Sequence, residues 1–181
     1  VKLDIVKYPD PILRAACHLV TRFDEDETLH YAFLLNAALD KVGGRGLAAP
    51  QLGMPVQMAY IREPGFEPFY ILNPVLVKGT GSVTTNEGCL SIPGFRGRVE
   101  RPSKIWLEYK DLHGTQHTRR FRHDLAVVIQ HEIDHLSGTL FIDKLIPADR
   151  LKWAISPANP LAQSVISYMD RNKTTGENAC Q

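Results

Sequence analysis

The most chemically pointed stretch of this 181-residue chain holds two histidines four residues apart with a glutamate beside the first. In "QHEIDHLSG", residues 130–138, a helical reading stacks His131 and His135 one turn apart on one face, with Glu132 next to them. Leu125, Val128, Ile129 and Ile133 form a broad apolar side shared with one histidine or the other, so the pair sits against a core. A single histidine in that setting is ordinarily a satisfied core residue. Two at this spacing, with a carboxylate between them, favour a bound cation, because a buried carboxylate beside two imidazoles needs compensating charge. A catalytic metal site normally has three protein ligands and one position open to water. The helix supplies only two of the three.

Cys89, in "NEGCLSIPG", is the candidate third ligand, with Gly88 and Pro93 bracketing a tight extended segment around it. The alternative is a small buried hydrophobe, the usual role of a free cysteine. A Cys-His-His set would be borderline soft and could hold zinc or ferrous iron; spacing alone does not choose between them. A third stretch, "GGRGLAAPQLG", has neither the Walker lysine nor the dinucleotide spacing, which sets a phosphate cradle aside. Gly44 and Gly46 instead suit a peptide backbone lying against the chain. Ala48 and Ala49 would pack behind it, and Gln51 would present an amide donor.

These residues must be positioned by something, and the surrounding pattern is mixed. "DPILRAACHLV" and "DEDETLHYAFLLNAALDKVGG" open on acidic residues and read as helices, the second closing at Gly43 and Gly44. From Met58 to Trp106 short apolar runs are cut by proline and glycine: "MAYI", "FYILNPVLV", "GSVTTNEGCLSI" and "GRVERPSKIWLEYKD" read as strands and turns. "DLHGTQHTRRF" predicts a hairpin centred on Gly114, and a helix resumes near Asp124. After "FIDKLIP" the pattern weakens, with a terminal helix expected over residues 159–173. We expect one domain over residues 1–170 and a flexible tail over 171–181.

A formal net charge of +1 argues against a bulk electrostatic partner such as nucleic acid. The basic "RRFRH" reads as the exposed end of a strand. No apolar run reaches the length of a membrane span. Cys17, Cys89 and Cys180 are too few and too irregular for a disulfide framework, which fits a reducing compartment.

Three separate stretches, "GRGLAAPQ", "EGCLS" and "QHEIDHLSG", resemble in order and approximate spacing the three signature motifs of the peptide deformylases. The likeness extends to "YPDPILR", "ILNP", "IPGFRGRVERP" and "LFIDKL", and so covers residues 4–147. It implies an α+β fold, with antiparallel sheets around a central helix that carries both histidines. It also implies removal of the formyl group from the N-terminal methionine of newly made proteins. Cys89, His131 and His135 become ligands of one divalent metal, ferrous iron in most of the family with Zn2+, Ni2+ or Co2+ as substitutes. Water activated by the metal attacks the formyl carbon, and Glu132 serves as general acid/base. The Gln51 amide and the Leu90 N–H stabilise the developing oxyanion. The peptide backbone is expected to add as a strand near Gly46 and the segment from Glu87 through Gly88 to Leu90. Implied partners are N-formylmethionyl nascent peptides, met at the ribosome, with no direct nucleic-acid binding and no membrane. The setting would be cytoplasmic in a bacterium. In a eukaryote it would be plastid or mitochondrion, after loss of a targeting segment. Arg101 and Asp134 match family positions and are expected either as a supporting ion pair or as a solvated surface pair.

The chain departs from that pattern at two charged positions. Arg45 stands between the glycines of the first motif, where the family has an apolar residue, and Asp124 lies two helical turns before His131. We expect them either to meet at the mouth of the methionine pocket, above an apolar floor of Val127 or Val128, or to point separately into solvent. Two rival functions are weaker. A zinc endopeptidase would place a third ligand downstream, and no histidine follows His135. A deformylase-like binder without turnover would not need every residue of the chemistry, and all are present.

Overall fold

The computed structural model describes residues 3–162. It has an α+β architecture: a five-stranded antiparallel sheet, a separate two-stranded hairpin, and one helix crossing between them. The chain runs through α1 (Asp26–Val42), β1 (Gly46–Ala48), β2 (Met58–Ile61), β3 (Phe69–Thr80), β4 (Val83–Cys89), β5 (Ile92–Arg101), β6 (Lys104–Lys110), β7 (Gln116–Arg122), α2 (His123–Leu136) and α3 (Pro147–Ala154). The larger sheet has the order β1-β2-β3-β6-β7, and β4 pairs only with β5. One side of β1 and one side of β4 are therefore open edges among the described residues.

α2 follows β7 directly, which drives it back over the sheet. Leu125, Ala126, Ile129 and Leu136 share its inward face and pack with Ile71, Ile105, Leu107 and Phe121 of the strands. Each of the leucine and isoleucine side chains stabilises the docking by roughly 1.5–3 kcal/mol. Ile129→Ala would cost about 2–5 kcal/mol and loosen the helix that carries the histidines. α2 stops at Ser137, and Gly138 follows with φ 73°. A Cβ on Gly138 would lie 2.4 Å from the Arg14 carbonyl oxygen, so only glycine lets the chain leave there.

The strands and hairpin lie where the pattern places them, and Arg119, Arg120 and Arg122 are exposed on β7. Two readings are corrected. The helix expected in "DPILRAACHLV" is a short 3-10 turn, Pro11–Arg14, started by the Asp10 carboxylate accepting from the Ile12 N–H. The backbone then extends, because the Cys17 N–H donates to the Leu136 carbonyl and the His18 N–H to the Pro55 carbonyl. Tertiary pairing takes the donors that a helix would have used. Conversely, α3 forms where the apolar pattern had weakened. Its inward anchor is a carboxylate: Asp149 is buried and accepts from the Arg98 backbone N–H at 2.7 Å and from its guanidinium at 3.0 and 3.1 Å. The expected terminal helix, the limit at residue 170 and the tail lie wholly or largely outside the described residues. Among those described, no helix is long and apolar enough to cross a membrane.

Candidate metal centre

Where β4 ends, its register with β5 shifts between Gly88 and Cys89, and a two-residue turn at Leu90 and Ser91 follows. A bulge re-aims a side chain, and here it delivers the thiol to the last turns of α2. The ligand atoms of Cys89, His131 and His135 all lie within 4.8 Å of one another, with the Cys89 Sγ 3.2 Å from His135 Nε2. His131 Nδ1 is 2.9 Å from Glu87 Oε2. That bond places the Nδ1 proton on the carboxylate side, so that a metal displacing the other ring proton would be bound through Nε2.

Burial alone would lower the pKa of His131, yet hydrogen bonds to Cys89 and Glu87 and the charge of Glu132 raise it to about 10. The cluster rewards positive charge at this point. Burial and the neighbouring His131 push His135 well below its ordinary value, which keeps it a neutral donor. A cysteine sulfur and two imidazoles converging on a buried point that favours a cation fit a divalent metal of borderline softness.

Glu132 is buried beside this point, and burial pushes its pKa up to about 7. Its Oε2 has no hydrogen-bond partner among the described residues, so that oxygen is available to exchange a proton with a bound molecule. The carboxyl group reaches its position through Gly46, where a Cβ would stand 2.6 Å from Glu132 Oε1. Gly46 is therefore needed for the close approach of Glu132. Gln51 is fixed end to end: its Oε1 accepts from the Ala48 N–H at 2.9 Å, which turns Nε2 toward Ser91 Oγ at 3.2 Å and Cys89 Sγ at 3.5 Å.

A cleft of about 1010 Å³ opens from the centre, between the free edges of β1 and β4. Gly44, Arg45, Gly46, Gly88, Leu90, Val127 and Val128 all line it, alongside Cys89, His131, Glu132 and Gln51. Glu87, whose segment was expected along the substrate path, also borders the cleft, and its carboxylate is held by neighbouring side chains. It accepts from Arg101 Nη2 at 2.8 Å and from His131, and although burial opposes it, those partners hold its pKa at about 2. Arg101 continues to Asp134 at 2.8 Å, and Asp134 to Lys144 at 2.7 Å. With Arg101 only 2% exposed and Asp134 13%, this is no solvated surface pair.

The matching family model is that of the polypeptide deformylases, over residues 2–151. The chain belongs to the peptide deformylase family. A peptide deformylase of Chlorobaculum parvum is 40% identical over 156 residues, covering 83% of each chain. A Plasmodium falciparum peptide deformylase, solved in complex with an inhibitor, aligns with a TM-score of 0.81 and 34% identity over 89% of this chain and 99% of its own. A class I type b peptide deformylase of Acinetobacter baumannii, solved with Met-Ala-Ser bound, aligns at 0.77 and 27% identity over 80% and 99%. The chain is thus a metallohydrolase that removes the formyl group from the N-terminal methionine of nascent peptides.

Sequence reasoning missed three participants. Ser91, fully buried, holds the Gln51 amide; its only signal was a hydroxyl inside an otherwise apolar turn. Lys144 closes the chain of charges behind His131, and Glu63 grips Arg45. Neither contact has a periodic signature.

Proposed function

We propose that Cys89, His131 and His135 hold the catalytic metal, natively ferrous iron, and that Glu132 moves the proton in deformylation. A divalent ion there supplies the Lewis acidity that brings the pKa of a water from 15.7 toward ~7. Glu132 accepts the proton of the attacking water and returns it to the leaving amine, freeing formate and a peptide N-terminus. The Gln51 Nε2–H and the Leu90 N–H donate to the oxygen on which negative charge develops, and each such donor is worth roughly 3 kcal/mol in the transition state. The substrate backbone pairs with the open edges of β1 and β4, with methionine directed toward Val127 and Val128. Glu87 acts through His131, by fixing its ring and tautomer.

The observation that carries this reading is the meeting of three donor atoms from two elements beside a buried carboxylate with an unpartnered oxygen. The Met-Ala-Ser bound to the Acinetobacter relative supports formyl-Met-Ala-Ser as the probe. Protein loaded in turn with Fe2+, Zn2+, Ni2+ and Co2+ is expected to release formate fastest with Fe2+, and that activity should decay in air while the Ni2+ form persists. Release that is equal across metals, or stable in air with verified iron, would remove ferrous iron from the proposal. The setting follows the substrate: nascent chains at the ribosome, in bacterial cytoplasm or in a plastid or mitochondrion. Bacterial relatives such as that of Chlorobaculum support the first.

A further inference from the structure

The mouth of the cleft carries a charged bridge. Arg45 bonds Glu63 through both Nε and Nη2, the latter 2.6 Å from Oε1, and the same Nη2 faces Asp124 Oδ2 at 3.5 Å. The Glu63 side chain is 11% exposed and that of Asp124 75%. The arginine is thus fixed on the side of β2 and reaches across to the first turn of α2. Arg45 and Asp124 line the same cleft as Val127, Val128 and Glu132. Asp124 precedes His131 by seven residues, which sets the bridge ~10 Å along α2 from that ligand. The two valines occupy the interval.

An exposed contact of this length adds little stability, and Asp124 has a bland reason to be present as an acidic residue in the first turn of a helix. That reason does not account for Arg45, which leans to this carboxylate while another one holds it. Nor does it account for the place where the two meet, on the wall of the cleft. We propose that the Arg45–Asp124 bridge, anchored by Glu63, is the end wall of the pocket for the substrate's first side chain and sets the length it accepts. The inference rests on the deformylase reading above. An unbranched chain of methionine or norleucine length lies along Val127 and Val128 and stops at the bridge. A longer one must press hydrocarbon onto two charges, which desolvates ions without new partners, or displace the arginine that Glu63 holds in place.

The test is a homologous series, formyl-Xaa-Ala-Ser with Xaa as norvaline, norleucine, methionine and the next two straight-chain homologues of norleucine. Metal-loaded wild type, Arg45→Ala, Asp124→Ala and the double variant are compared. Wild-type kcat/KM is expected to fall by roughly 10-fold or more from norleucine to the longest chain. In each single variant the fall shrinks to about 3-fold or less, and the double variant adds nothing further, as for partners in one contact. Dissociation constants of the deformylated Xaa-Ala-Ser peptides should show the same profile without turnover. Asp124→Asn, which keeps a polar residue at the helix start, replaces the alanine variant if that one misfolds. No cut-off in wild type, or a cut-off unmoved in the variants, overturns the end wall. Length-dependent binding with no formate released from any peptide would instead overturn the deformylase reading and leave the wall standing.

Discussion

The two ends of α2 carry charge under opposite conditions. In its last turns His131, Glu132 and His135 are enclosed, and His131 leads through Glu87, Arg101 and Asp134 to Lys144 by contacts of 2.7 to 2.9 Å. In its first turn Asp124 stands in solvent and meets Arg45 at 3.5 Å. Charges out of water depend on one another, because removing one strands its neighbour in a medium that cannot solvate it. Charges in water are nearly independent. One helix thus presents a rigid catalytic end and a substitutable end near the pocket mouth, which lets specificity vary without disturbing the metal ligands.

The largest effect should come from the enclosed end. Glu132→Gln retains shape but cannot accept a proton, so kcat is expected to fall by about 10²–10⁴-fold with metal content unchanged. Metal analysis and rate belong on the same sample, and near-normal turnover would take Glu132 out of the mechanism. Next comes Arg101→Met, which leaves the buried Glu87 carboxylate with His131 alone and Asp134 with Lys144 alone. A loss of about 3–5 kcal/mol in urea unfolding is expected. Metal affinity should also fall by about 10–100-fold in a chelator competition, through the freed His131. A variant as stable as wild type would show that water reaches these carboxylates.

How far this contrast could be read beforehand depends on whether its cause is local. The histidine pair and the helix that bears it are a spacing of four on an apolar face, and both sit in the sequence. So do the bracketed Cys89 and the strands whose side chains alternate between core and solvent. The sequence reading stops short where a polar group does the holding. The Glu87 segment was expected along the substrate path and does line the cleft, but the hold of its carboxylate on His131 and Arg101 was not read, because their approach is set by β4 and β5 pairing rather than by spacing. α3 is fastened by Asp149, so its apolar pattern says little. Arg45 was read as either meeting Asp124 or pointing into solvent; it does reach Asp124, but its firmer partner is Glu63, brought close by the return of β2 alongside β1.

Acid sharpens the comparison at intermediate size. Hydrogen bonds from the Arg98 side chain and backbone hold the Asp149 carboxyl well below its ordinary value, and Glu87 is held at about 2. A carboxyl depressed in the fold stabilises it above the unfolded pKa of ~4, and that stability is lost as pH falls through and below ~4 toward the folded value. Urea midpoints of wild type should therefore decline between about pH 5 and pH 3. In Asp149→Asn the midpoint is lower at neutral pH and the decline is shallower, since one of the linked carboxyls is gone. A decline as steep as that of wild type would mean that Asp149 titrates alike in folded and unfolded chains.

The smallest effect belongs to the exposed end. Asp124→Ala removes a weak contact to Arg45 and a favourable charge near the helix N-terminus, together worth about 1 kcal/mol or less. Arg45 stays paired with Glu63, so no buried charge loses a partner, unlike the case of Arg101. Denaturant unfolding in low salt and again in about 0.5 M salt should find the loss smaller in the second, because only exposed charges are screened at that range. A cost near that of Arg101→Met, insensitive to salt, would mean that Asp124 is desolvated in solution and that the two ends of α2 are held by the same physics.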